Sequence, residues 1–124
     1  MDVLLSIKPE FADKIFNGTK KYEFRKAIFK RTDVRRVIVY ASSPVQRVIG
    51  EFQVESILND SVENLWKRTS EYSGITKDFD HQYFAGRDQA FAIQVGRIKR
   101  FKKEKTLQDY NINFAPQSYV YIEN

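Results

Sequence analysis

The chain has 124 residues, room for one compact domain and too few for two. Hydrophobic residues make up 42% and charged residues 30%, a balance that excludes disordered and fibrous classes, and no apolar run approaches the roughly 20 residues of a membrane span. Cysteine is absent, which excludes a disulfide scaffold and thiolate metal sites; with no basic, apolar leader at its start, the chain reads as cytoplasmic.

In chain order, residues 3–7 form an apolar run suited to a buried strand. Pro9 then opens a helix, since its missing N–H costs nothing in the first turn. Phe11 with Ile15 and Ala12 with Phe16 give that helix a buried face, and Asn17-Gly18 ends it. From Lys21 the period becomes two: Tyr22 and Phe24 share one side of a strand, and Lys21, Glu23 and Arg25 the other. Residues 34–40 are a buried strand followed by an Ala41-Ser42-Ser43-Pro44 turn. Residues 48–58 are another strand, with Gly50 marking a bend or bulge. Asp60 is read as the N-cap of a helix at residues 62–66, with Glu63 completing a capping-box-like start. The Glu71-Tyr72-Ser73-Gly74 loop precedes a second short helix, capped by Thr76 and running to Gly86. Residues 90–98 alternate as a strand whose basic continuation reaches Lys105. Residues 107–113 are a loop or short turn, and residues 116–122 a closing strand. Five or six short strands with about three short helices in mixed order predict a single small α+β domain, residues 1–124, built on a curled sheet or barrel.

The net charge of +5 is unevenly spread. Residues 20–36 carry eight cations against Glu23 and Asp33, a net of +6, and residues 97–105 carry six against Glu104, a net of +5. Everything else sums to −6. A basic face for an anionic partner is one reading, and Lys and Arg guarding strand edges against aggregation is the other. The run at 97–105 likewise reads either as a stripe contacting a nucleic-acid backbone or as a solvated strand end.

The densest local signal is Gly18-Thr19-Lys20-Lys21-Tyr22-Glu23-Phe24-Arg25. Glu23 and Arg25 are close enough to pair, which leaves Arg25 donors for a phosphate or base edge, and Lys20 and Lys21 can supply point charges. The alternative is a solvated ion pair worth about 0–1 kcal/mol. Trp66, Tyr72, Tyr83 and Phe84 are candidates either for base stacking or for core packing. His81, with Asp78 and Asp80 nearby, makes a poor metal site, and the expectation is no metal and no cofactor.

The pattern Gly-x-Lys-x-x-Glu-x-Arg, filled by Gly18, Lys20, Glu23 and Arg25, resembles the signature of the ASCH domain family in the PUA-like superfamily. The segments around Ser6-Ile7-Lys8-Pro9, Tyr40-Ala41-Ser42-Ser43-Pro44, Val48-Ile49-Gly50, Tyr83-Phe84-Ala85-Gly86 and Ala115-Pro116-Gln117-Ser118 resemble the rest of such a domain, so the likeness spans nearly the whole chain. It implies a PUA-like curled sheet or pseudo-barrel and a cleft between barrel and helices lined by the signature. Lys20, Glu23 and Arg25 would line that cleft, with Lys8, Ser42 and Ser43 as neighbours. The ligand implied is RNA or a modified nucleoside, with cations for phosphate and a carboxylate for an exocyclic amine or sugar hydroxyl. Some relatives are hydrolases of RNA or of N4-acetylcytidine. The amidohydrolase branch has a threonine where this chain has Glu23, so Lys20 and Glu23 would here activate a water, with Glu71 as the candidate second acid. A third reading is a regulatory module docking an acidic protein partner on the same face.

Overall fold

The structure, a computed structural model, describes residues 1–123. Six strands and three α-helices follow one another as β1 (Asp2–Ile7), α1 (Pro9–Phe16), β2 (Tyr22–Arg25), β3 (Arg36–Ala41), β4 (Arg47–Asp60), α2 (Val62–Thr69), α3 (Lys77–Tyr83), β5 (Ala90–Lys105) and β6 (Tyr119–Ile122). Short 3-10 turns occupy Ser70–Tyr72 and Leu107–Tyr110.

All six strands join one sheet in the order β2-β5-β4-β3-β1-β6. β1 runs parallel to β3, and every other pairing is antiparallel. Three strands separate β2 from β1 in that order, yet Arg25 Nη2 on β2 donates to the Ser6 carbonyl on β1 at 3.0 Å. Only a curled sheet brings them so close. The result is the half-barrel expected for a PUA-like α+β fold.

Two devices produce the curl. Register shifts break the β4–β5 ladder between Val48 and Gly50, between Phe52 and Val54, and between Val54 and Ser56, and each such irregularity adds bend and twist. At Gly50 the backbone also meets its neighbours closely, since a Cβ there would stand 2.6 Å from both the Lys99 carbonyl oxygen and the Phe16 ring. That contact seats α1 against the sheet. Inside the curl, Val3, Leu5, Ile7, Val37, Val39, Ile49 and Phe52 pack with Ala12 and Ile15 of α1. On the outer side Leu4, Ile38, Tyr40 and Val48 are covered by Leu107 of the second 3-10 turn. A third cluster joins Phe24, Leu65, Phe84, Ala90 and Ala92, and so ties α2 and α3 to the β2–β5 end of the sheet.

Three sequence expectations shift. The N-cap of α2 is Ser61, whose hydroxyl accepts from the Asn64 amide at 3.2 Å. Asp60 instead ends β4 and accepts from the Ser61 amide, and Glu63 reaches the ring of His81 rather than back to the cap. Strand β6 is shorter than expected: it begins at Tyr119, and Pro116 and Gln117 form the lip of a hollow. Finally, α3 ends at Tyr83 rather than running to Gly86, whereas the basic continuation of β5 reaches Lys105 as expected, in one 16-residue strand.

Candidate functional site

The site grows from the turn between α1 and β2. Lys8 caps α1 with its backbone carbonyl, accepting from the Phe11 and Ala12 amides, which leaves its side chain in solvent. At the other end the Lys20 amide donates to the Lys14 carbonyl, and the Lys21 amide to the Tyr72 carbonyl at 2.8 Å. The chain is thus pinned on both sides before β2 pairs with Phe91–Gln94 of β5.

Lys20 is the least expected residue. Its side chain is 2% exposed and runs between the rings of Phe11 and Phe24, with Nζ 5.2 and 4.8 Å from their centroids. Nζ donates to the Ser73 carbonyl at 2.6 Å, while Lys14 Nζ donates to the next carbonyl, Gly74, at 3.0 Å. Gly74 makes this possible. Its φ of +72° is a left-handed conformation, and a Cβ would stand 2.7 Å from Lys20 Cβ and Cγ. Burial brings the Lys20 pKa down to about 8; the Glu23 carboxylate partly offsets the shift, the Lys14 charge adds to it, and Asp80 offsets it further. Lys20 is therefore no point charge presented to solvent. Lys21 is exposed, with its ammonium 4.2 Å from the Tyr72 ring centroid, and it lies outside the hollow.

Glu23 and Arg25 pair at 3.0 Å with side chains 9% and 11% exposed, so the solvated surface pair is the wrong picture. Burial makes such a pair costly to desolvate and more costly to break, because the survivor would be an uncompensated charge. Arg25 also donates to the Ser6 carbonyl, but its Nε–H is buried with no partner among the described residues.

These groups line one hollow of about 520 Å³, within the usual range of small-molecule sites. Lys8, Lys20, Glu23, Arg25, Ser42 and Ser43 all contribute to its wall. Ser42 sits in the turn after β3, where its amide donates to the Ile7 carbonyl and its carbonyl accepts from Val45 and Gln46. The opposite wall is aromatic: Phe79 and Tyr83 lie nearly parallel (10°) with centroids 6.4 Å apart, and Phe11 meets Phe79 edge-on at 5.4 Å. Lys8 Nζ is 5.9 Å from the Phe79 centroid. Pro116 and Gln117 form the lip, held where Ser6 Oγ donates to the Pro116 carbonyl at 2.6 Å.

Glu71 does not join this group. It lies exposed on the Ser70–Tyr72 turn and lines a neighbouring depression with Lys14 and Thr19, beyond a partition of Phe11, Ile75 and Phe79. Lys20, Glu23 and Glu71 are thus not assembled as one acid–base set. Of the aromatic candidates, Tyr83 lines the hollow, Phe84 is 1% exposed in the core, Trp66 packs against the His81 ring, and Tyr72 sits on the surface beneath Lys21.

His81 bonds the Glu63 carboxylate at 2.9 Å and the Lys77 carbonyl at 3.1 Å, and the Glu63 contact raises its pKa. No cluster of three or more metal-ligating side chains occurs among the described residues. Asp80 is buried beside His81, with Oδ2 lacking a hydrogen bond among the described residues, and burial raises its pKa. Sequence reasoning missed Phe11, Phe79, Gln46 and Gln117 as wall residues; nothing along the chain distinguishes Phe11, Gln46 and Gln117 from ordinary helix and turn positions. Phe79 carried one usable signal, a large apolar side chain between Asp78 and Asp80 on a short helix.

Comparison with known proteins bears on this geometry. The ASCH domain model matches residues 5–111. An ASCH domain-containing ribonuclease of Zymomonas mobilis is 34% identical, with the match covering 98% of this chain and 84% of that one. The crystal structure of ASCH from Zymomonas mobilis superposes with a TM-score of 0.90 at 29% identity, covering 98% of this chain and 87% of the other. Large ribosomal subunit protein uL22 of Ureaplasma parvum is 30% identical over 98% of this chain, which spans only 39% of that relative's length. The chain belongs to the ASCH domain family.

Proposed function

We propose, from ASCH membership and the geometry of the hollow, that this domain binds RNA by holding one unstacked base or modified nucleoside in a basic cleft. The convergence of the Glu23–Arg25 pair with the parallel Phe79 and Tyr83 rings carries this reading. Unstacked bases are read by exactly-placed edge contacts combined with stacking on aromatic faces. Glu23 accepts from an exocyclic amine or sugar hydroxyl, the unpartnered Arg25 Nε–H donates to a ring nitrogen or carbonyl, and Lys8 stands at the rim for a phosphate. The ribonuclease named among its relatives supports RNA as the partner.

Isothermal titration with single-stranded RNA and with the four ribonucleoside 5′-monophosphates tests this. Phe79 is 37% exposed, so Phe79→Ala leaves the fold in place. Its loss of stacking weakens binding about five- to hundredfold. Wild-type protein that binds none of these ligands overturns the proposal.

One observation favours a hydrolytic reading beside it. Lys20 has a pKa of about 8 next to Glu23, which suits proton transfer near neutral pH. On this reading Lys20→Met abolishes RNA cleavage, followed on denaturing gels, while binding persists. RNA left intact by the wild-type protein retires it.

A further inference from the structure

The other basic stretch of the chain lies outside the hollow. β2 pairs with β5 only through residues 91–94, so residues 97–105 have β4 on one side and no strand on the other. Arg97, Lys99, Lys102, Lys103 and Lys105 are exposed and have no carboxylate partner among the described residues, while Arg100 alone reaches an acid, Asp13 at 3.4 Å. Lys105 is held over the rings of Phe101 and Tyr110, at 4.7 and 5.8 Å.

This row ends one strand away from the rim of the hollow. Lys105 is the register partner of Val48, two residues beyond Gln46 on the wall of the hollow. Between them, Arg47 is exposed, and among the described residues its side chain bonds only the Gln46 carbonyl. Protection of a strand edge accounts poorly for so much charge, because a lysine or a bulge suffices and register shifts already interrupt this ladder.

We propose that the exposed half of β5, residues 97–105, is a track for the phosphodiester backbone of a single-stranded polynucleotide that continues out of the hollow. This rests on the base-binding reading for its direction and adds to it that the ligand is a chain of several nucleotides rather than a free nucleoside. Cations lacking acid partners match a run of phosphates and release counterions on binding, and the open side of β5 leaves the strand approachable along its length.

The test is fluorescence anisotropy with a fluorescein-labelled 12-nucleotide RNA pool of random sequence across a potassium chloride series. If all five cations engage, they contribute about −3.5 to the slope of log Kobs against log salt, and the Lys99→Ala, Lys102→Ala, Lys103→Ala triple variant is flatter by about 2. Nucleoside monophosphate binding, followed by NMR shifts, is unchanged in that variant. A triple variant with wild-type slope and affinity overturns the track, as does wild-type protein that does not bind the 12-mer. Stronger binding to poly-glutamate or to phosphatidylserine vesicles than to RNA also overturns it. Monophosphates that fail to bind, beside a 12-mer whose salt slope flattens in the triple variant, remove the base-binding reading and leave the track standing.

Discussion

Residues 20–36 and residues 97–105 carry similar net charge, +6 and +5, and end in opposite environments. In the first stretch Lys20 is buried on a carbonyl, Arg25 is paired with Glu23, Arg31 with Asp33, and Arg36 with both Asp2 and Glu51. Much of its charge is consumed within the fold. In the second, one cation of six has an acid partner among the described residues. Counting charge along a chain therefore says little about the field it presents; what matters is whether the fold delivers carboxylates to the same place.

The sharpest way to break this contrast is to remove charge from each stretch in turn. Arg25→Ala leaves the Glu23 carboxylate buried without its counter-ion and frees the tie between β2 and β1, so urea unfolding shows a loss of about 3–5 kcal/mol. The paired change Lys102→Ala and Lys103→Ala, on exposed and unpaired side chains, alters stability by no more than about 0.5 kcal/mol per site. Equal losses at both places erase the distinction.

A smaller effect is expected at Gly74→Ala. The positive φ and the 2.7 Å approach to Lys20 give a cost of about 1–3 kcal/mol in the same experiment. A neutral result there means that Lys20 is not confined as described.

Lys20 itself separates the stretches by titration. Followed by NMR, its Nζ titrates near 8, whereas an ordinary lysine titrates at 10.5. Because the folded group loses its proton first, the unfolded chain binds more protons between those values. The contribution of Lys20 to stability therefore rises with pH across that window and is least favourable below it. Lys20→Met removes that slope; its persistence assigns it elsewhere.

The smallest change lies outside both stretches. Glu63 raises the proton affinity of His81, so the stabilisation from this exposed pair is full below the unfolded histidine value of 6.5 and fades as pH rises through the higher folded value. His81→Ala lowers Tm slightly in mild acid and not in mild alkali. The opposite pattern means that the contact is not an ion pair.

Much of the fold was readable from local pattern. Pro9 and Asn17-Gly18 bracket α1 because proline and glycine act on their own backbone. Gly50 marks a β4 irregularity for a different reason, since a Cβ there would meet the Lys99 carbonyl and the Phe16 ring. Errors came where neighbouring residues compete for one role. Asp60 and Ser61 are both good caps, but Asp60 is still paired with Ala90 in the sheet, which leaves the position to Ser61. The candidate site was legible as a set of residue types, Lys8, Lys20, Glu23, Arg25, Ser42 and Ser43, and the hollow does gather them. Glu71 fell outside because its distance from Glu23 depends on how the Ser70–Tyr72 turn packs, which no spacing encodes.

Strand and helix identity, the tight exit from α1 and the clustering of cations are properties of short segments, set by backbone preference and side-chain period over a few residues, and the chain alone specified them. Which cations stay free was settled only when the sheet curled. Arg25 and Arg31 pair with carboxylates only two residues away, but the other partners come from distant segments: Ser73 for Lys20, Asp2 and Glu51 for Arg36, and, among the described residues, no acid for most of residues 97–105. Those meetings depend on long-range packing, whose geometry no local pattern contains.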